Sequence, residues 1–156
     1  MIIGVGIDII EITRINDAIQ KNPLFLEKVY TQNEIEYLKS RNFRPEYAAG
    51  RFAAKEAVGK ALGTGIFQFS MKDIEIDRNA NGKPVVVLRG KAKQVAQKLG
   101  EYKINLSISH SRENAVAYAV IELKWDIWKN NKSKLGRFLN VKEIISWNST
   151  TEMRYS

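Results

Sequence analysis

Two acidic side chains stand in unusual company. Asp8 interrupts an apolar run, IIGVGIDII at residues 2–10, whose other members are isoleucine, valine and glycine. A carboxylate there loses hydration unless a cation or hydrogen-bond donors replace it, although a strand-end residue can still reach water or cap the next helix. Glu56 lies in RPEYAAGRFAAKEAVGKALG, with Phe52, Gly59, Lys60 and Gly63 on one helical stripe. At i, i+4, Glu56 and Lys60 could form an ordinary exposed pair, worth about 0.2–0.5 kcal/mol. Glycine inside a helix costs about 1 kcal/mol relative to alanine, so glycines on this same face imply that something bulky approaches it.

The remaining inventory narrows the chemistry. The chain has no cysteine and a single histidine, His110. That excludes a thiolate nucleophile, a disulfide framework, an iron–sulfur cluster, sulfur-ligated zinc and any multi-histidine site. A catalytic metal would have to be hard and oxygen-bound. Magnesium fits that description, taking one or two carboxylates, several waters and the phosphates of its substrate. His110 ends the segment INLSISH and either packs through a hydrogen bond or faces a ligand. Gly82-Lys83-Pro84 either cradles a phosphate or simply turns the chain. Gly4-Val5-Gly6 is not a dinucleotide fingerprint, because the third glycine is missing.

These residues need elements to hold them. Residues 2–10 read as a buried strand, followed by a helix with Ile12, Ile15 and Ile19 inward and stopped by Pro23. Arg14, Ala18 and Lys21 form the opposite stripe of that helix and should face solvent. Thr31-Gln32-Asn33-Glu34 is a capping box that starts a second helix, with Ile35 and Leu38 inward. Pro45 opens a third, long helix, in which Ala49, Ala53, Ala57 and Ala61 make a seam for close packing. KDIEID alternates as a half-exposed strand and joins PVVVL through the turn at residues 79–82, giving a hairpin. Residues 90–100 form a short helix with Ala92, Val95, Ala96 and Leu99 inward. INLSISH and NAVAYAVIEL pair through the turn at Ser111 to Asn114. The expected class is α+β, a mostly antiparallel sheet against a long packed helix. After Leu123 the character changes: all three tryptophans, Trp125, Trp128 and Trp147, fall there, and Leu135 to Trp147 could form an amphipathic helix. The expected division is a domain at residues 1–123 and a basic extension at 124–156.

The 156 residues carry 25 Lys and Arg against 17 Asp and Glu, a net +8, which favours anionic partners. Residues 1–123 hold 18 basic and 14 acidic side chains, and the remaining 33 hold 7 and 3. No apolar stretch reaches the roughly 18 residues that span a bilayer. The opening MIIGVGIDIIEI lacks a basic segment and carries Asp8, which reads against a signal peptide, so a soluble cytoplasmic protein is expected. A basic nucleic-acid-binding module is the alternative, and it requires stacking aromatics on a sheet face.

GIDIIEITRI, FAAKEAVGKALGTG and LSISH, in this order and spacing, resemble bacterial holo-acyl-carrier-protein synthase, the small class of 4′-phosphopantetheinyl transferase. The resemblance covers about residues 1–123 and has no counterpart for the tail. It implies transfer of 4′-phosphopantetheine from coenzyme A to a serine of apo acyl carrier protein, leaving adenosine 3′,5′-bisphosphate. It further implies a homotrimer with active sites between subunits. Under it, Asp8 and Glu56 match the Mg²⁺-binding carboxylates, and Lys60 matches a phosphate-contacting lysine. His110 matches a histidine lining the coenzyme A site, which Gly63, Gly82, Lys83 and Pro84 also border. Arg14 matches an arginine that meets the carrier protein, and Lys21 stands nearest to a second one. Glu56 acting through a water is the first candidate for the base that takes the serine proton, with His110 and Asp8 as alternatives.

Overall fold

Isoleucine on alternate positions makes Ile2–Glu11 a strand, β1, and its two faces differ in kind. One face carries Val5, Ile7 and Ile9, all more than half exposed. The other carries Gly4, Gly6, Asp8 and Ile10 and is turned toward a helix. The computed structural model describes residues 1–124. After β1 come α1 (Ile12–Lys21), α2 (Phe25–Val29), α3 (Gln32–Ser40) and α4 (Pro45–Ala61). A single 3₁₀ turn leads to β2 (Ile74–Arg78) and β3 (Pro84–Leu88), then α5 (Gly90–Gln97), β4 (Tyr102–His110) and β5 (Asn114–Leu123). The layout is α+β, as expected.

Two antiparallel sheets result. β2 and β3 form a hairpin, and β1, β5 and β4 form a three-stranded sheet in that order. The last strand is therefore central, and its register sets Asp8 opposite Ala117, which in turn opposes Ile108. Alanines at 115, 117 and 119 of β5 are fully buried and leave room for α4 to lie on the sheet. The contact is closest at β1. A Cβ on Gly4 would sit 2.1 Å from the Ala61 carbonyl oxygen, and one on Gly6 would sit 2.0 Å from that of Ala57. These glycines exist so that helix backbone can rest on strand backbone.

The elements form for the expected local reasons. Proline stands at the first turn of α4, and Ala49, Ala53, Ala57 and Ala61 are buried. The capping box of α3 is complete: Thr31 accepts from the Glu34 N–H, and Glu34 accepts from the Thr31 N–H. Four details depart from expectation. α2 has no helical signal of its own beyond five residues and was not anticipated. Ala18 is half-buried rather than facing solvent. Ile35 is only half-buried, while Glu34 beside it is 1% exposed. β2 is buried over its first three residues, Glu75 included, because Arg89 (2.8 Å) and Asn33 (3.4 Å) meet that carboxylate. The expectations for the tryptophan-bearing tail, from residue 125 on, lie outside the described residues. No helix among the described residues is long and apolar enough to cross a membrane.

Candidate active site

Gly4, Gly6 and Asp8 follow one another on the same face of β1, so the close seating of α4 brings its last turns beside Asp8. Lys60, in the final turn of α4, donates to Asp8 Oδ1 at 2.7 Å and to the Ile7 carbonyl at 3.0 Å. Asp8 is largely buried and Lys60 half exposed. Asp8 Oδ2 is buried and has no hydrogen-bond partner among the described residues. Glu56 lies one turn before Lys60 and is half-buried. Burial raises its carboxyl above the ordinary 4.5, the negative charge of Asp8 raises it further, and Lys60 opposes both. The lysine gives its ammonium to Asp8 and not to its helical neighbour, so the ordinary i, i+4 pair is not what forms.

Two carboxylates and one ammonium thus converge between β1 and α4. Among the described residues no group of three or more His, Asp or Glu side chains gathers as a metal cage. A pair with an unsatisfied buried oxygen suits a hard divalent ion whose other ligands are water and substrate. The two glycines on this stripe have different causes. Gly59 is occupied from within, since a Cβ there would meet Gly65 and Ile66 at 3.2 Å, and the Gly65 N–H donates to the Gly59 carbonyl. Gly63, at φ +80°, closes α4 through its N–H to the Lys60 carbonyl, and the space beside it is open.

The other expected site residues stand on other elements of the chain. His110 is exposed at the end of β4, in register with Ala115, and its ring meets Tyr47 edge-on at 6.5 Å. No hydrogen bond among the described residues joins it to Asp8, Glu56 or Lys60. Gly82 (φ +78°), Lys83 and Pro84 belong to the β2–β3 turn, where Asn79 Oδ1 accepts from the Asn81 and Lys83 N–H groups, each at 3.0 Å. Arg14 and Lys21 are exposed on α1, with Lys21 held by Asp17 at 2.9 Å.

One cluster went unread in the sequence. Arg41, Arg44, Arg51 and Arg78 surround the rings of Tyr37 and Tyr47, on which His110 also rests. Arg51 is 5% exposed, lies 3.6 Å from the Tyr37 ring centre and has an Nε without a partner. Burial lowers its guanidinium from the ordinary value. Arg44, Tyr47 and Arg51 stand at i, i+3, i+7, a cation–aromatic–cation stripe that could have flagged the site. Arg41, Arg44 and Arg78 are exposed, Arg44 being paired with Glu46, so this edge of the two rings attracts anions.

The profile of the 4′-phosphopantetheinyl transferase superfamily matches residues 4–119, which include every candidate residue above. The chain belongs to this superfamily. It is 62% identical over 123 residues to a holo-[acyl-carrier-protein] synthase of Clostridium kluyveri, covering 79% of this chain and 92% of the relative. A holo-(acyl-carrier-protein) synthase from Bacillus anthracis, solved in complex with CoA (3′,5′-ADP), superposes with TM-score 0.66 and 43% identity, covering 80% and 99% of the two chains. A holo-ACP-synthase from Plasmodium yoelii does so with TM-score 0.70 and 39% identity, covering 80% and 97%. Membership of a transferase superfamily displaces the nucleic-acid alternative. The outward sheet face agrees, since among the described residues it offers Val5, Ile7 and Ile9 with Tyr118 as its aromatic.

Proposed function

We propose that the chain transfers 4′-phosphopantetheine from coenzyme A to a serine of an apo acyl carrier protein, in the cytoplasm. The convergence of Asp8, Glu56 and Lys60 carries this reading. The serine oxygen forms a bond to the phosphorus that bears pantetheine, the bridging P–O bond breaks, and adenosine 3′,5′-bisphosphate leaves. Such a transfer is mainly positioning and charge neutralisation. Asp8, through its unpartnered Oδ2, and Glu56 would hold Mg²⁺, which when bound supplies positive charge to the pyrophosphate oxygens. Lys60, half exposed on a flexible stem, neutralises phosphate charge on the leaving side. Glu56 has a carboxyl raised by burial, which suits it to accept the serine proton.

His110 and the arginines around Tyr47 hold the adenosine end of coenzyme A, and Gly63, Gly82, Lys83 and Pro84 border it. Within a protomer His110 stands apart from Asp8, which supports sites shared between subunits of a homotrimer. The apolar outward face of β1, with Tyr118 beside it, supports such self-association. Arg14, with Lys21, meets the acidic carrier; Lys21 contributes less, because Asp17 already pairs with it. Residues 1–123 form the transferase domain and 124–156 an extension to it. The test incubates the full chain with coenzyme A, apo carrier protein and Mg²⁺ and weighs the carrier. A gain of one phosphopantetheine is expected; no gain with any divalent ion would overturn the reading.

A further inference from the structure

We propose that the buried Glu34–Lys55 pair is a positioning device: it fixes the roll of α4 about its axis and so aims Glu56 and Lys60 at Asp8. Both side chains are completely buried, with Lys55 Nζ 2.8 Å from Glu34 Oε2. The ammonium also donates to the carbonyls of Met71 (3.0 Å) and Ile74 (2.6 Å), so its three protons are all used. Glu34 is as fully engaged. Its Oε2 also accepts from the Thr31 N–H at 2.8 Å, and its Oε1 accepts from the Ile76 N–H at 3.0 Å. One ion pair therefore ties α4 to the capping turn of α3, the 3₁₀ turn and β2.

The need for such a tie follows from the other side of the helix. Lys55 lies about 200° around α4 from Ala57, away from the sheet. On the sheet side the contact is made by alanine methyls and by carbonyls resting over Gly4 and Gly6. That contact sets the depth of α4, but small side chains offer shallow ridges against rolling. A roll of about 20° would carry a carboxylate roughly 6 Å from the axis through about 2 Å. A misplacement of about 1 Å can cost on the order of a hundredfold in rate. Stability alone is a weak reason for a buried ion pair, since apolar replacements often serve as well. Three directional bonds from the residue next to Glu56 supply what an alanine seam lacks.

The inference rests on the assignment of Glu56 to the reaction, and its test keeps the two apart. Lys55→Met, Lys55→Arg and the double change Glu34→Gln with Lys55→Met are assayed in the full chain with coenzyme A and apo carrier. Each is assayed at a temperature where circular dichroism shows it folded. Glu34→Gln keeps an acceptor for the Ile76 N–H. Lys55→Arg keeps the buried charge, and carries the test if the methionine variants do not fold. Positioning predicts a kcat loss of about tenfold or more in each folded variant, with KM for coenzyme A moved less than about threefold, whatever the change in Tm. A purely structural role predicts unchanged kcat per folded molecule. If kcat stays within about threefold of the parent while Glu56→Gln is inactive, positioning alone is overturned. If Glu56→Gln is itself as active as the parent, the site assignment fails and positioning with it.

Discussion

Glu56 feels two influences of one sign: burial first, then the charge of Asp8, both raising its carboxyl above 4.5 against the opposing Lys60. A folded value above the unfolded one means that the folded chain holds this proton more tightly. The stability Glu56 contributes is fully present below pH 4.5 and is lost as pH rises through the folded value. Activity runs the other way, because a proton acceptor or cation ligand must be ionised. Carboxyl NMR of chelator-treated protein should therefore show Glu56 titrating above 4.5. In Asp8→Asn the midpoint should move down only part of the way, since burial is the larger cause; a midpoint at or below the ordinary value would contradict this. Asp8→Ala and Glu56→Ala should each lower kcat/KM on the order of a thousandfold, at about 1.4 kcal/mol per tenfold. Losses under tenfold in both would remove these acids from the chemistry. The two acids were legible because their neighbours are apolar or glycine. The burial of Glu34, Lys55 and Arg51 was not, because a charged side chain on a helix defaults to solvent and only a partner distant in sequence buries it. Glu34 meets Lys55 across 21 residues and the Ile76 N–H across 42.

Among the elements, α4 against β1 matters most to the site. Gly6→Ala would place a Cβ 2.0 Å from backbone that cannot turn aside, so α4 must lift. Overpacking of this kind costs about 1–3 kcal/mol. Urea unfolding should report that loss, and kcat should fall with it as Lys60 leaves Asp8; a variant as stable and active as the parent would show that the contact is dispensable. Most of α4 was readable: proline at its start, an alanine seam, glycines beyond its end. The capping box of α3 was equally plain. β2 was misjudged because alternation assigns Glu75 to solvent, whereas Arg89 from the turn after β3 covers it at 2.8 Å. Alternation reports which side chains are polar and not whether another element supplies their counter-charge.

The described residues, taken together, present two surfaces of opposite character. The outward sheet face is apolar along β1, with Ile9 65% and Ile7 59% exposed, and polar along β4, where Asn105, Ser107 and Ser109 share that face. If the proposed inter-subunit site holds, Ile7→Asp should shift the particle toward a monomer in light scattering and reduce transfer, because the adenosine end and the carboxylates would no longer meet. An unchanged oligomer with full activity would separate the sheet face from assembly. α1 instead exposes Arg14, the residue proposed to meet an acidic carrier. Arg14→Ala should slow carrier association severalfold at low salt and little at high salt, measured by stopped flow; a loss independent of ionic strength would argue against steering. The strand arrangement, with β5 between β1 and β4, could not be foreseen beyond its hairpin, since nothing local says which edge the first strand joins. β1 turns alternate residues to its two sides, Gly4, Gly6 and Asp8 inward and Val5, Ile7 and Ile9 outward. Inserting one residue after Gly6 would therefore invert everything beyond it: the carboxylate would emerge on the outward face that Ile7 and Ile9 vacate, and Ile7 would take its place beneath α4. On the proposed function, catalysis and assembly would be written on a single ribbon in antiphase, so that neither could slip without the other.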